Sequence, residues 1–84
     1  MKNIEDKVIA IIARAVMIPA SEVKPEAKLS ALGVTSLDQV ECVLAVEETF
    51  HVEIGQADLW QLRTVRDVIE AVKNALASNE TSVL

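Results

Sequence analysis

Ser36, Cys42, His51 and a run of carboxylates are the side chains in this sequence whose types could do chemistry. A nucleophilic enzyme needs a Ser or Cys, a base beside it and a group to orient that base. The set available is Ser36, His51, which is the only His, and one of many carboxylates. With a helix between them, the backbones of Ser36 and His51 lie roughly 20 Å apart by helical rise, too far for a direct hydrogen bond. No catalytic residue is therefore expected, and His51 reads as a polar residue at a helix end. Cys42 is the only cysteine, so no internal disulfide or multi-cysteine metal site can form; a small buried side chain in a reducing compartment is expected. Asp38, Glu41 and Glu48 fall on one surface with no ligand loop of the calcium type, so no metal site is expected there.

Ser36 remains, and its chemistry depends on where its helix starts. Gly33-Val34-Thr35-Ser36-Leu37 leads from a loop into a helix whose first turn holds Asp38 and Gln39. Either hydroxyl can be the N-cap: Thr35 would pair with Asp38, Ser36 with Gln39. If Ser36 caps, its hydroxyl is used by the backbone. If Thr35 caps, Ser36 is the first helical residue with its hydroxyl free, at the positive end of a helix where a phosphate diester is electrostatically welcome. Only the second register permits modification.

The helix that carries Ser36 is predicted over 36–50. At about 100° per residue, Cys42, Val43, Val46, Phe50 and, at the edge, Val40 share one side, the expected core face. The opposite arc mixes Asp38, Glu41 and Glu48 with Leu37 and Leu44, and it contains no Lys or Arg to pair with the carboxylates. Before it, Asn3 caps a first helix over about 3–16 with the stripe Ile4, Val8, Ile11, Ile12, Ala15, which stops ahead of Pro19. A long connection to Thr35 follows, pinned by Val23, Leu29 and Leu32, with a short helical turn near Ser21 to Val23 that Ser21 would cap. A short helix is predicted over 56–61. A last one opens after Thr64, with Asp67 three residues on as in a capping box, and its stripe is Val65, Val68, Ile69, Val72, Leu76.

Eighty-four residues, about half of them apolar, support one core. Aromatic residues are limited to Phe50 and Trp60, and glycines to Gly33 and Gly55, a composition that favours packed helices. An all-α domain over 1–76 is expected, with 77–84 as a disordered tail. The net charge is −5, and the segment 29–62 carries it: six carboxylates (Asp38, Glu41, Glu47, Glu48, Glu53, Asp58) and no Lys or Arg. Such a field repels nucleic acid and attracts basic protein surfaces. The N-terminus lacks the order of a secretory signal and no apolar run approaches membrane-spanning length, so a cytoplasmic monomer without membrane insertion is expected.

Leu32-Gly33-Val34-Thr35-Ser36-Leu37-Asp38, followed by Val40-Glu41 and Glu47-Glu48-Thr49-Phe50, resembles the attachment-site region of acyl carrier proteins. The likeness extends to Val23 and Leu29 in the long connection, Ile54 after the second helix and Thr64-Val65 at the last one, so it spans nearly the whole chain. It implies a four-helix bundle with a long first loop and a short third helix, with 4′-phosphopantetheine esterified to Ser36 and acyl groups held as thioesters on the arm. It also implies docking of Leu37, Asp38, Glu41, Leu44, Glu47 and Glu48 onto basic patches of a phosphopantetheinyl transferase and of acyl-processing enzymes of fatty-acid, lipid or polyketide biosynthesis. If the acyl chain folds inward, the contacts expected are Val40, Val46, Ile54, Leu59, Trp60 and Leu62. Two features depart from the family pattern. Thr35 stands where Asp normally precedes the modified Ser. Trp60 stands where a polar or acidic residue is usual; it is expected to pack, to line or close an acyl-chain cavity, or to mark a specific partner. An aminoacyl or peptidyl carrier of the same fold and an unmodified interaction module are the alternative readings.

Overall fold

The first helix, α1 (Ile4–Val16), begins where the extended backbone of Asn3 lets its Oδ1 accept the Asp6 amide at 2.9 Å. It ends at Met17, whose left-handed backbone (φ 59°) turns the chain while the Ile18 amide reaches back to the Ala13 carbonyl at 3.0 Å. The second helix, α2, is Ser36–Phe50, and the third, α3, is Val65–Ser82. This computed structural model describes residues 3–55 and 59–82, with the backbone alone for 78–82. The short helix predicted over 56–61 starts in residues that lie outside this description; the helical hydrogen bond from the Leu59 amide to the Gly55 carbonyl, 3.0 Å, is described.

The three helices bury one face each. Val8, Ile12 and Ala13 of α1 meet Cys42, Val43 and Val46 of α2 and Val65, Val68, Ile69 and Val72 of α3. The connections add Val23, Leu29, Leu59 and Leu62, while Leu32 packs half-buried against them. No helix among the described residues is long and apolar enough to cross a membrane.

The long connection is pinned by its backbone as well as by its side chains. Leu29 donates to the Arg63 carbonyl at 2.8 Å, Val65 to Ala27 at 3.1 Å and Arg66 to Pro25 at 2.8 Å. The last two are first-turn amides of α3, which no helical carbonyl can satisfy; the loop supplies their acceptors. One-turn 3-10 helices occupy Ala20–Glu22 and Ser30–Leu32. The first lies a residue earlier than expected, and Ser21 does not cap it: Pro19 precedes the turn and no side chain bonds to it.

The last helix also runs further than the sequence suggests. Its backbone continues to Ser82, through most of the segment 77–84 expected to be a disordered tail. Residues 77–82 have no apolar stripe, but they also contain no Gly or Pro to stop a helix already nucleated. Residues 83 and 84 lie outside the described chain.

Candidate functional site

Gly33 sets the approach to Ser36. It closes the second 3-10 turn in a left-handed conformation (φ 88°) that side chains rarely adopt, although a Cβ there would meet nothing within 4 Å. The Val34 amide then bonds the Leu29 carbonyl at 3.0 Å, and the chain enters α2 through an extended Thr35.

Thr35 is the N-cap. Its Oγ1 accepts the Asp38 amide at 3.2 Å and its own amide donates to Asp38 Oδ2 at 3.1 Å, a reciprocal capping box. Of the two registers open in the sequence, this is the one that leaves Ser36 as the first helical residue. Ser36 is exposed, and its hydroxyl takes no part in the cap. The amides of Ser36 and Leu37 also lie outside those hydrogen bonds, so the positive end of α2 is open beside the hydroxyl.

The faces of α2 follow the expected spacing. Cys42, Val43 and Val46 are buried, and Leu37 and Leu44 are 68% and 57% exposed beside the exposed Glu41 and Glu48. Two of the six expected docking residues have structural bonds of their own. Asp38 is tied into the cap, and Glu47 Oε2 accepts the Ile54 amide at 2.7 Å, which turns it towards the connection after α2.

Gln39 is the residue that sequence reasoning missed. Its Nε2 donates to the Leu59 carbonyl at 2.5 Å and to the Leu62 carbonyl at 3.2 Å, so one half-buried amide bridges α2 to a segment 20 residues away. Its position on the arc of Val43 and Val46 was the available signal, because a polar group among core positions must find partners. Of the expected acyl-chain contacts, Val46, Leu59 and Leu62 are in the core cluster, and Val40 and Ile54 pack against it half-buried. Trp60 is apart from them at 58% exposed, which corrects the expectation that it packs: with Leu59 and Leu62 both turned inward, the residues between them face out.

Burial pushes the Cys42 thiol up to about 11, with smaller contributions from the nearby Asp38 and Glu41 charges. An open groove of about 470 Å³ lies among Asn3, Ile4, Glu5, Lys7, Phe50 and Lys73, where Lys7 Nζ sits 5.9 Å from the centre of the Phe50 ring. Phe50 is roughly 21 Å along α2 from Ser36 by helical rise, so this groove is not part of the site.

Residues 6–72 match the family described as a phosphopantetheine attachment site. An acyl carrier protein of Syntrophus aciditrophicus is 42% identical over 72 residues, 84% of this chain and 90% of that protein. One from Nitratidesulfovibrio vulgaris strain DP4 is 42% identical over 73 residues, 86% of this chain and 96% of its own length. Another, from Thermosynechococcus vestitus, is 40% identical over 77 residues, 90% of this chain and 95% of that one. Among solved structures, the acyl carrier protein of Thermotoga maritima superposes with a TM-score of 0.76 at 25% identity, covering 86% of this chain and 85% of that one.

Proposed function

This chain belongs to the acyl carrier protein family of phosphopantetheine attachment domains, and from that premise we propose that Ser36 is the residue esterified by 4′-phosphopantetheine. The chain is a carrier of acyl thioesters, and members of its family are carriers rather than catalysts. When bound, the cofactor supplies a terminal thiol on which the acyl group is held.

The observation that carries the assignment to Ser36 is the division of labour between neighbouring hydroxyls. Thr35 satisfies the helix end, and Ser36 is left exposed with its oxygen unused. The residues present fit a phosphate diester: the open amides and the dipole of α2 offset part of its charge. Asp38 lies near the same end and opposes this, but its carboxylate is already held by the Thr35 amide. A covalent bond needs no tight anion site, so a balance near neutral is sufficient.

Leu37, Asp38, Glu41, Leu44 and Glu48 form the face offered to the transferase and to acyl-processing enzymes, with Glu47 at its edge holding the next connection. Exposed leucines among carboxylates suit a partner with a basic rim around an apolar patch. This chain performs no step of the acyl chemistry itself.

The test is intact mass after incubation of the wild type and Ser36→Ala with a phosphopantetheinyl transferase and coenzyme A. The wild type should gain the phosphopantetheine increment and Ser36→Ala should gain none, with stability changed by no more than about 0.5 kcal/mol because Thr35 is the cap. An increment on Ser36→Ala would place the attachment elsewhere.

A further inference from the structure

The open groove among Asn3, Ile4, Glu5, Lys7, Phe50 and Lys73 lies at the end of α2 away from Ser36 and takes no part in the carrier site. Its volume of about 470 Å³ is that of a small-molecule pocket. All three helices build it: the N-cap and first turn of α1, the last residue of α2, and Lys73 halfway along α3. Its walls are held in place by the core.

The groove joins an apolar floor to a cationic rim. Ile4 and Phe50 pack half-buried against the core and give the rest of their surface to the groove. Lys7 and Lys73 are exposed on two different helices. The Lys7 Nζ sits 5.9 Å from the centre of the Phe50 ring, and Lys7 makes no ion pair among the described residues. Lys73 reaches Glu70 only at 4.0 Å, between side chains that are both exposed to water. Both ammonium groups thus have charge to offer a ligand. The Asn3 Oδ1 is taken by the Asp6 amide, which leaves the Nδ2 hydrogens as further donors at the same rim.

The occupant follows from this arrangement. The lysines repel a cation, and a neutral apolar molecule gains only from Ile4 and Phe50, whereas an anion with an apolar tail uses both parts of the groove. Glu5 stands on the same rim and opposes a second negative charge. Glu48, exposed in the last turn of α2, repels an extended acidic surface such as a protein face or an anionic membrane. We propose that this groove is a second, non-covalent binding site for a small monocarboxylate with an apolar tail, its carboxylate held by Lys7 and Lys73 and its tail lying on Ile4 and Phe50. The site goes beyond the carrier reading and does not depend on it.

The experiment titrates the full, unmodified, nitrogen-15-labelled chain with hexanoate at fixed ionic strength, followed by amide chemical shifts. The comparison ligands are 1-hexanol, which keeps the tail without the charge, and adipate, which adds a second carboxylate. Hexanoate should give saturable shifts centred on Ile4, Lys7, Phe50 and Lys73, and each comparison ligand should bind at least about threefold more weakly. Lys7→Gln and Lys73→Gln should each weaken hexanoate about threefold and leave 1-hexanol unchanged, with thermal melts matching the wild type. Shifts that do not saturate overturn the proposal, as do 1-hexanol or adipate binding as tightly as hexanoate. Saturable shifts centred on Leu59 and Leu62 also overturn it, because the acid would then enter the core elsewhere. Loading of Ser36 by a transferase and coenzyme A, measured on the same chain, is a separate readout: its failure overturns the carrier reading and leaves the groove standing.

Discussion

Cys42 carries the only thiol of the chain itself. Cys42 lies among Val43, Val46 and the α1 face, where its thiolate would have no water and would sit near Asp38 and Glu41; burial is the larger cause, and together they push the thiol up to about 11. An unfolded chain would ionise it near its ordinary value of 9.0. Between those values the unfolded state binds fewer protons than the folded one, so stability is full below pH 9 and falls as pH rises towards 11. The loss expected from this group is about 2 kcal/mol. Urea unfolding from pH 7 to 11 should show the wild type losing that much more than Cys42→Ala, and parallel curves would refute it. The expected consequence is selectivity: at neutral pH Cys42 should stay silent towards alkylating reagents, while the free thiol of an attached, unacylated arm should react. At this scale Ser36 and Cys42 were legible from residue type and spacing. The cap was legible only as a choice of two, because Thr and Ser both cap helices and the extended backbone of Thr35 decides it. Gln39 was recognisable as polar on a core arc, but its acceptors lie 20 and 23 residues away and no local pattern points to them.

Helix starts carry much of what holds the site's surroundings in place. Asp67 Oδ2 accepts the amides of Arg63 at 3.0 Å and Thr64 at 3.1 Å, while Thr64 Oγ1 accepts the Asp67 amide at 3.2 Å. These bonds hold the Asp67 carboxyl below its ordinary value of 3.8, the Arg63 amide contributing most and the Thr64 amide next. Its stabilisation is therefore present above pH 3.8 and is lost as pH falls through the lowered folded value. Asp67→Ala should cost about 1 kcal/mol at pH 7 and progressively less as pH falls through the lowered folded value, measured by urea unfolding at pH 7 and at an acid pH. An equal cost at both pH values would mean that the side chain acts by packing instead. The damage would reach the long connection, because Leu29 donates to the Arg63 carbonyl and Val65 to that of Ala27. The capping signals at Asn3 and Thr64 and the apolar stripes made α1, α2 and the start of α3 legible. The end of α3 was not, since a missing stripe says that a segment does not pack, whereas continuation of a formed helix needs only the absence of a breaker. The exposure of Trp60 was not legible for a related reason: aromatic residues usually pack, and the burial of Leu59 and Leu62 on either side decides its direction.

Across the whole molecule, charge is arranged for encounter at a cost in stability. Two ion pairs, Arg66 with Glu26 at 3.9 Å and Lys73 with Glu70 at 4.0 Å, are exposed and lie outside the acidic segment. The segment 29–62 contains no Lys or Arg, so Asp38, Glu41, Glu47 and Glu48 concentrate negative potential along α2. Asp38 and Glu47 recover part of that cost through backbone hydrogen bonds, whereas Glu41 and Glu48 are exposed. Raising the ionic strength from 20 mM to 500 mM should therefore raise the melting temperature by roughly 5 °C, the shift that about 1 kcal/mol of relieved repulsion gives in a domain of this size. The double substitution Glu41→Gln, Glu48→Gln should melt higher than the wild type at low salt and respond less to added salt. A wild type whose melting temperature ignores salt would mean that these charges are already compensated. The same field that destabilises the free chain would accelerate its capture by the basic partners proposed above, and screening would remove both effects together. Salt that strengthens the fold should thus weaken partner association in proportion, and the neutralised double variant should lose association rate at low salt while gaining stability there.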